Sequence, residues 1–237
     1  MKLNIFYSIL ISSLFSCETK TQKSMSELPN APLAKQIPKN LTIHDDVRVD
    51  EFYWLNDREN PEVIDYLNKE NDYYNTHTAH TKDFQKSLFE EMKSRIKEDD
   101  SSVPYKYNGY WYITKFKKGK DYPIYIRKKE SLSASEELLF DCNEMAKGHS
   151  YFRLVGLNIS PNNNMISYGI DTTGRRQYKL QIKDLKTTKV FEEEIYNTTG
   201  GSTWANDNKT LFYTLKDETT LRSEAIYKHL LNTDPKL

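Results

Sequence analysis

Apolar residues recur with a helical period in the stretch from about residue 44 to residue 98. Phe84, Leu88, Met92 and Ile96 are each four residues apart, with lysines and glutamates between them, which predicts an amphipathic helix. An earlier helix is predicted to begin at Asn60-Pro61, because asparagine caps helices and proline suits the first helical position. The apolar stripe of the later helix needs a surface to pack on.

From about residue 103 the apolar period changes to two, which predicts β-strands. Asn108-Gly109 lies between aromatic runs and is a strong hairpin signal. A turn at Lys118-Gly119-Lys120 precedes a strand from Tyr122 to Arg127. Residues 159–168 are predicted to form a strand, a turn and a strand, and Gln177 to Ile182 alternates cleanly. This half of the chain is therefore predicted to be a series of short antiparallel strands.

The strand pattern repeats along the chain. Residues 161–168 align with residues 206–213 at an offset of 45, and residues 178–180 align with 227–229 at an offset of 49. Repeats of about 40–50 residues with four short strands are typical of β-propeller blades, and a plain meander of hairpins is the alternative. Residues 103–237 have room for nearly three blades, whereas a closed propeller needs about four to eight. We therefore expect an incomplete propeller.

The first residues predict export rather than folding. Lys2 precedes an apolar stretch from Ile5 to Phe15, which is too short for a permanent transmembrane helix and suits a signal peptide. The stretch ends in Leu14-Phe15-Ser16-Cys17, which resembles a bacterial lipobox.

Residues 1–16 are thus predicted to be a lipoprotein signal peptide. Cys17 is the predicted lipidated residue, and residues 17–40 are predicted to form a flexible tether. The predicted product is an exported lipoprotein on a membrane, facing the periplasm or the cell exterior. The alternative is a buried amphipathic start, with Cys17 as an ordinary thiol.

The composition argues against nucleic-acid binding and indicates a folded chain. The chain has 34 basic and 34 acidic residues, so it lacks the basic excess that nucleic-acid binding needs, and no nucleic-acid partner is expected. Its hydrophobic fraction of 37% is low, yet it carries 17 tyrosines, 10 phenylalanines and 3 tryptophans, which disordered chains lack. We therefore expect a folded chain that is part of something larger. A disulfide is not expected, because lipidation of Cys17 leaves Cys142 alone as a packed side chain.

No catalytic, cofactor or metal site is predicted within the chain. Residues 148–152 and 200–204 begin like the G-x-S-x-G elbow of serine hydrolases, but Phe152 and Trp204 replace its last glycine. Ser150 and Ser202 are therefore predicted to be ordinary turn or strand residues. His77 and His80 share a helical face, but two histidines without a further ligand pattern are a weak metal signal.

Several segments resemble oligopeptidase B, a group within the prolyl oligopeptidase family of serine peptidases. The longest match runs from His44 to Arg58 (HDDVRVDEFYWLNDR) and continues through residues 60–67 and 70–71. Shorter matches follow in the same order at residues 175–178, 204–207 and 226–229. Together they extend over most of residues 32–237.

The resemblance implies an α+β, mainly β, fragment. A helical N-terminal extension at 41–100 would precede the first two to three blades of a seven-bladed β-propeller at 101–237, with the α/β-hydrolase domain absent from this chain. In such enzymes the extension packs against the hydrolase domain, and the propeller covers the active site and admits only short peptides. The partners expected are therefore short peptides, the missing hydrolase domain and, through the lipid, a membrane.

The resemblance also implies the activity. A full-length member is a serine-type endopeptidase that cleaves short peptides after arginine or lysine, and its Ser-Asp-His triad would lie beyond residue 237, so the chain alone is predicted to be inactive. Arg175 and Arg176 are candidates for contacts with the hydrolase domain, the alternative being two solvated arginines. Two other functions stay open: a truncated, lipid-anchored binding or interaction module without catalysis, and a proline-specific member of the family.

Overall fold

The computed structural model describes residues 28–234, and the chain divides into two units between Arg95 and Ile96. The predicted signal peptide and Cys17 lie outside the described residues. None of the helices in residues 28–234 is long and apolar enough to cross a membrane.

The first unit contains a β-hairpin followed by two helices. Strands β1 (Lys39–Ile43) and β2 (Asp46–Asp50) pair antiparallel, a short 3-10 turn covers Tyr53–Asn56, and helices α1 (Pro61–Thr78) and α2 (Lys82–Ser94) follow. The Asn60 side chain accepts a hydrogen bond from the Glu62 N–H at 2.9 Å, so the predicted cap is confirmed. The sequence analysis did not predict the hairpin. Ile96, predicted to belong to the helical stripe, lies just beyond the end of α2.

The segment before β1 is attached to this unit. The Trp54 indole N–H donates to the Lys35 carbonyl at 2.8 Å, and the Ile37 N–H donates to the Glu51 carbonyl at 2.8 Å. These contacts connect residues 35–37, which the sequence analysis placed in the tether, to the 3-10 turn and the end of the hairpin.

The second unit is built from antiparallel strands in two sheets. The four-stranded sheet has the order β3-β4-β5-β6, and the six-stranded sheet has the order β12-β11-β10-β9-β8-β7. A short helix, α3, connects the two sheets. The elements are β3 (Tyr105–Tyr107), β4 (Tyr110–Lys115), β5 (Ile124–Lys129), β6 (Glu136–Asp141), α3 (Cys142–Met145), β7 (Arg153–Ile159), β8 (Met165–Asp171), β9 (Tyr178–Asp184), β10 (Ile195–Trp204), β11 (Thr210–Lys216) and β12 (Ser223–Leu230).

Strand β10 belongs to two blades. Its first half pairs with β9 through Ile195 and Thr198, its second half pairs with β11 from Ser202 to Trp204, and the register shifts between the halves. The strands therefore divide into a first blade (β3–β6), a second blade (β7–β9 and the start of β10) and a third (the end of β10, β11 and β12). The predicted architecture of successive propeller blades is confirmed, and residues 28–234 contain no α/β-hydrolase domain.

Asparagine turns join neighbouring blades. Asn108, in the β3–β4 turn, donates to the Pro161 carbonyl at 2.7 Å, and Asn163 donates back to the Asn108 carbonyl at 3.0 Å. In the same way the Asn162 N–H donates to the side chain of Asn208 in the β10–β11 turn at 2.8 Å. Asn108, Asn163 and Asn208 have φ values of 45°, 63° and 57°, a left-handed conformation that asparagine tolerates better than most residues.

The blades pack through aromatic and aliphatic side chains. A cluster between the first and second blades includes Tyr112, Phe140, Cys142, Ile166 and Tyr168, all buried. Burial raises the pKa of the Cys142 thiol to about 12, since the thiolate would lose its hydration, and the nearby Asp141 adds to the effect. Cys142 is therefore a packed, unreactive side chain in this structure.

Candidate functional site

Ser150 and Ser202, the serines of the two incomplete G-x-S-x-G motifs, are not positioned as nucleophiles. Ser202 lies in β10, is buried, and donates from Oγ to the Ser167 hydroxyl at 2.7 Å. Ser150 is exposed in the loop after α3. A catalytic serine needs a neighbouring base within hydrogen-bond reach, and the partner of Ser202 is another hydroxyl. Ser202 is therefore a strand residue and Ser150 a loop residue.

His77 and His80 both face backbone carbonyls. His77 Nδ1 is 2.9 Å from the Tyr73 carbonyl oxygen, and His80 Nδ1 is 3.0 Å from the His77 carbonyl oxygen. Their positions at the end of α1 and in the following turn account for these bonds. Among the residues that the structure describes, no three histidine, cysteine, aspartate or glutamate side chains are grouped as a metal site would require.

The two arginines singled out by the sequence lie in the turn between β8 and β9. Asp171, at the end of β8, is buried, and its carboxylate accepts from the Thr173, Gly174 and Arg176 N–H groups at 2.8, 3.0 and 2.8 Å. Burial by itself would raise the pKa of Asp171, but these donated bonds outweigh it and lower the pKa. The carboxylate is therefore ionised and fixes the turn.

Both arginine side chains project from this turn into solvent. Arg175 and Arg176 are exposed, and neither guanidinium forms an ion pair with another residue in 28–234. Arg176 has a φ of 58°, and its carbonyl accepts from Lys216 Nζ at 2.7 Å. The turn is thus fixed on one side by Asp171 and on the other by a lysine of the third blade.

A cavity of about 510 Å³ adjoins the same turn. The turn contributes Thr172, Thr173 and Gln177 to its lining, and apolar side chains come from the end of α3, the loop before β7 and strands β8, β9 and β10. Lys179 and His149 also line it, and no carboxylate side chain does. The sequence analysis did not predict this cavity, because its walls come from segments between residues 145 and 197 that only the fold brings together.

A second cavity, of about 290 Å³, lies between the first and second blades. It is lined by Tyr105, Tyr107, Tyr112 and Tyr125, together with aliphatic residues of β4 to β8. Burial raises the pKa of Tyr105, Tyr112 and Tyr125, so their hydroxyls stay neutral over the physiological range. This cavity offers aromatic surface without a charged group.

Comparison with known proteins places these blades in a family. The family model described as "Prolyl oligopeptidase, N-terminal beta-propeller domain" matches residues 32–236. The chain belongs to the prolyl oligopeptidase family. Among curated relatives it is 34% identical to "Dipeptidyl aminopeptidase BI" of Pseudoxanthomonas mexicana, over 95% of this chain and 34% of that protein. It is 32% identical to "Protease 2" of Moraxella lacunata, over 86% of this chain and 30% of that protein.

Solved structures of the family have the same fold. Oligopeptidase B from Leishmania major matches 87% of this chain and 32% of its own length, with a TM-score of 0.78 and 28% identity. Oligopeptidase B from Trypanosoma brucei matches with a TM-score of 0.77 at 24% identity, which supports the fold. The chain thus spans about a third of the length of these relatives. The resemblance inferred from the sequence is confirmed.

Proposed function

We propose that this chain is the N-terminal part of a serine-type oligopeptidase that hydrolyses short peptides after arginine or lysine. The observation that carries the proposal is the match of residues 32–236 to the propeller domain of a peptidase family, together with 28% identity to an oligopeptidase B. In this proposal the propeller restricts access of peptides to an active site on a hydrolase domain, and the triad belongs to that domain.

The first unit supports the presence of such a partner domain. Phe84, Leu88 and Met92, on one face of α2, are 69%, 40% and 53% exposed. An apolar stripe of this kind is normally buried against another element. We propose that the hydrolase domain covers it, as the resemblance to oligopeptidase B implies.

The named relatives favour a second specificity as well. Because one relative is a dipeptidyl aminopeptidase, removal of N-terminal dipeptides is the competing activity. The two activities differ in one chemical requirement: a dipeptidyl aminopeptidase needs a free N-terminal amine two residues before the cleaved bond, and an endopeptidase does not.

The test begins with the coding sequence beyond residue 237. The proposal expects an open frame that contains a G-x-S-x-G motif. The longer protein should cleave an N-terminally blocked arginyl peptide, and alanine at the motif's serine should abolish cleavage. The 237-residue chain should show no turnover. A frame that stops without the motif would overturn the peptidase proposal, and cleavage of unblocked dipeptidyl substrates alone would establish the competing specificity.

We also propose that the protein is exported and anchored to a membrane by lipid on Cys17. An apolar stretch followed by a small residue and cysteine supports this. Several acyl chains on one residue bind a bilayer firmly, whereas one chain binds only marginally. In cells fed a radiolabelled fatty acid, the protein should take up label and sediment with membranes, and Cys17→Ser should abolish both. Unchanged membrane association of Cys17→Ser would contradict the anchor.

A further inference from the structure

We propose that the cavity between the first and second blades binds a proline-containing peptide segment in the extended polyproline conformation. The proline rings lie against the tyrosines of the cavity, and the carbonyl groups of the segment accept hydrogen bonds from their hydroxyls. This binding site goes beyond the proposed function, which assigns no ligand to this part of the propeller.

The four tyrosines all line this one cavity. Tyr105 and Tyr107 come from β3, Tyr112 from β4 and Tyr125 from β5, and strands β7 and β8 of the second blade add aliphatic residues. The rings of Tyr105 and Tyr112 are stacked, with their centroids 5.3 Å apart and an angle of 19° between their planes. Antiparallel pairing of Tyr105 with Tyr112 fixes the register of these two strands. The aromatic surface is therefore built into the hairpin of the first blade.

Two of these tyrosines are accessible to a ligand. Tyr105 and Tyr107 are 62% and 58% exposed, whereas Tyr112 is 6% exposed. The hydroxyls of Tyr105 and Tyr107 form no hydrogen bond with another of the described residues. A ligand can therefore reach their rings and their hydroxyl groups without breaking a bond of the fold.

The cavity favours an uncharged ligand that accepts hydrogen bonds. None of its lining residues is charged. Burial raises the pKa of Tyr105, so its hydroxyl stays protonated and can donate, and the hydroxyls of Tyr107 and Thr114 are further donors. A proline residue has no amide N–H but keeps its carbonyl. A proline segment thus offers acceptors and apolar rings, which match hydroxyl donors and aromatic walls.

The size and shape of the cavity favour a short extended segment. Its volume of about 290 Å³ lies near the lower end of the roughly 300–1,000 Å³ typical of small-molecule sites. Polyproline segments bind in aromatic-lined grooves because their extended conformation is formed before binding and little further entropy is lost. A phenylalanine side chain is the competing occupant. It would stack on the tyrosines but would offer their hydroxyls no carbonyl acceptor.

The experiment compares three uncharged peptides of equal length. Acetyl-Pro-Pro-Pro-amide, acetyl-Ala-Ala-Ala-amide and acetyl-Ala-Phe-Ala-amide are titrated into the isotopically labelled 237-residue chain, and affinities are read from amide chemical shifts. We expect the proline peptide to bind about tenfold more tightly than either of the others, with the shifts concentrated in β3, β4 and β7. Its affinity should not change with ionic strength, because neither the peptide nor the cavity is charged.

Variants separate the cavity from general attraction to aromatic side chains. Tyr105→Ala removes a ring and a hydroxyl, and it should reduce binding of the proline peptide to the level of the alanine peptide. Tyr107→Phe keeps the ring and removes only a hydroxyl, so it should weaken the proline peptide by about threefold. Tyr74→Ala is the matched control, since Tyr74 is a similarly exposed tyrosine of α1, in the first unit. All three side chains are exposed, so thermal melting should be little changed.

Three results would overturn the inference: equal affinity for the proline and alanine peptides, an unchanged proline preference in Tyr105→Ala, or the same loss in Tyr74→Ala. Tighter binding of the phenylalanine peptide than of the proline peptide would also overturn it and would assign the cavity to aromatic side chains. None of these results bears on peptide hydrolysis by the longer protein, so failure here is distinguishable from failure of the proposed function.

Discussion

Three glycines allow β10 to cross from one blade to the next. Gly156 on β7 and Gly169 on β8 lie directly against the backbone of Gly200, so close that a Cβ atom on either would overlap it. Gly200 has a φ of 88°, and a Cβ there would overlap Val155 and lie 2.8 Å from Tyr178 Cγ. Only a residue without a side chain fits this crossing, because both the space and the left-handed backbone exclude a Cβ atom.

Substitution of Gly200 should therefore be severe, while its neighbour tolerates change. We expect Gly200→Ala to lower the free energy of unfolding by about 2–4 kcal/mol, from overlap with packed atoms and a strained backbone. Gly201→Ala is the matched control, because a Cβ there meets nothing within 4 Å. It should change stability by less than about 1 kcal/mol. Urea denaturation followed by tryptophan fluorescence measures both, and equal effects would refute this account of the crossing.

At the level of single elements, the strands that could be predicted are those whose own sequence contains apolar alternation or turn residues. The β3–β4 turn was predicted from Asn108-Gly109, and both residues have positive φ, as such a hairpin requires. The turn at Gly119 and the strand pairs around residues 159–168 and 177–182 were also found, because alternation and turn residues are encoded locally. These elements needed no knowledge of the tertiary structure.

The missed elements depend on tertiary structure. Residues 195–204 contain a Thr-Thr-Gly-Gly run that suggests a turn, yet they form β10, since pairing with β9 and then β11 holds them extended. Strand β2 is rich in charge, and the turn between β1 and β2 uses His44 and Asp45 with φ of 53° and 63°. Aspartate is a common turn residue, but this turn lacks the glycine of the strongest hairpin signals, so the hairpin was missed.

The weak repeat also has a structural cause. Arg127, Leu180 and His229 occupy matching places in β5, β9 and β12, but their surroundings differ. Arg127 is buried, bonds to Glu137 at 2.7 Å and to the Asn163 carbonyl of the next blade at 2.9 Å, and stacks on Tyr110. Leu180 packs in an apolar cluster, and His229 is buried 3.5 Å from Glu193. Equivalent strand positions carry different chemistry, so the repeat is visible mainly in its turns and tyrosines.

The candidate site was predictable only in its charged part. Arg175 and Arg176 were named from the sequence as candidates for contact with the hydrolase domain, but the buried Asp171 that holds their turn was not. The cavity beside them was not predicted either, since its lining residues become neighbours only when α3, β8, β9 and β10 pack together. Sequence reasoning therefore found the exposed cations and missed the framework that orients them.

At the scale of the whole molecule, aspartates stabilise the turns of the second and third blades. The carboxylates of Asp171, Asp184, Asp207 and Asp217 each accept hydrogen bonds from backbone N–H groups and a threonine hydroxyl in the residues that follow. For Asp184 and Asp217 the bonds from Thr187 and Thr220 are the main cause of a lowered pKa, and for Asp207 those from Thr210. The same arrangement of an aspartate and a threonine thus recurs in the successive turns that follow β8, β9, β10 and β11.

These shifts determine how stability depends on pH. A carboxylate whose pKa in the folded chain lies below its ordinary value of 3.8 stabilises the fold above that pH, and its contribution is lost as the pH falls through the folded pKa. We therefore expect the free energy of unfolding to decrease steadily below about pH 4.

Asp171→Asn should lower the free energy of unfolding at pH 7 and flatten this decrease, because the neutral amide cannot titrate. Asp121→Asn is the control, since Asp121 is exposed in the β4–β5 connection and anchors no turn. Urea denaturation at several pH values between 2.5 and 7 measures both variants. An unaltered pH slope in Asp171→Asn would show that the acid sensitivity of the chain arises elsewhere.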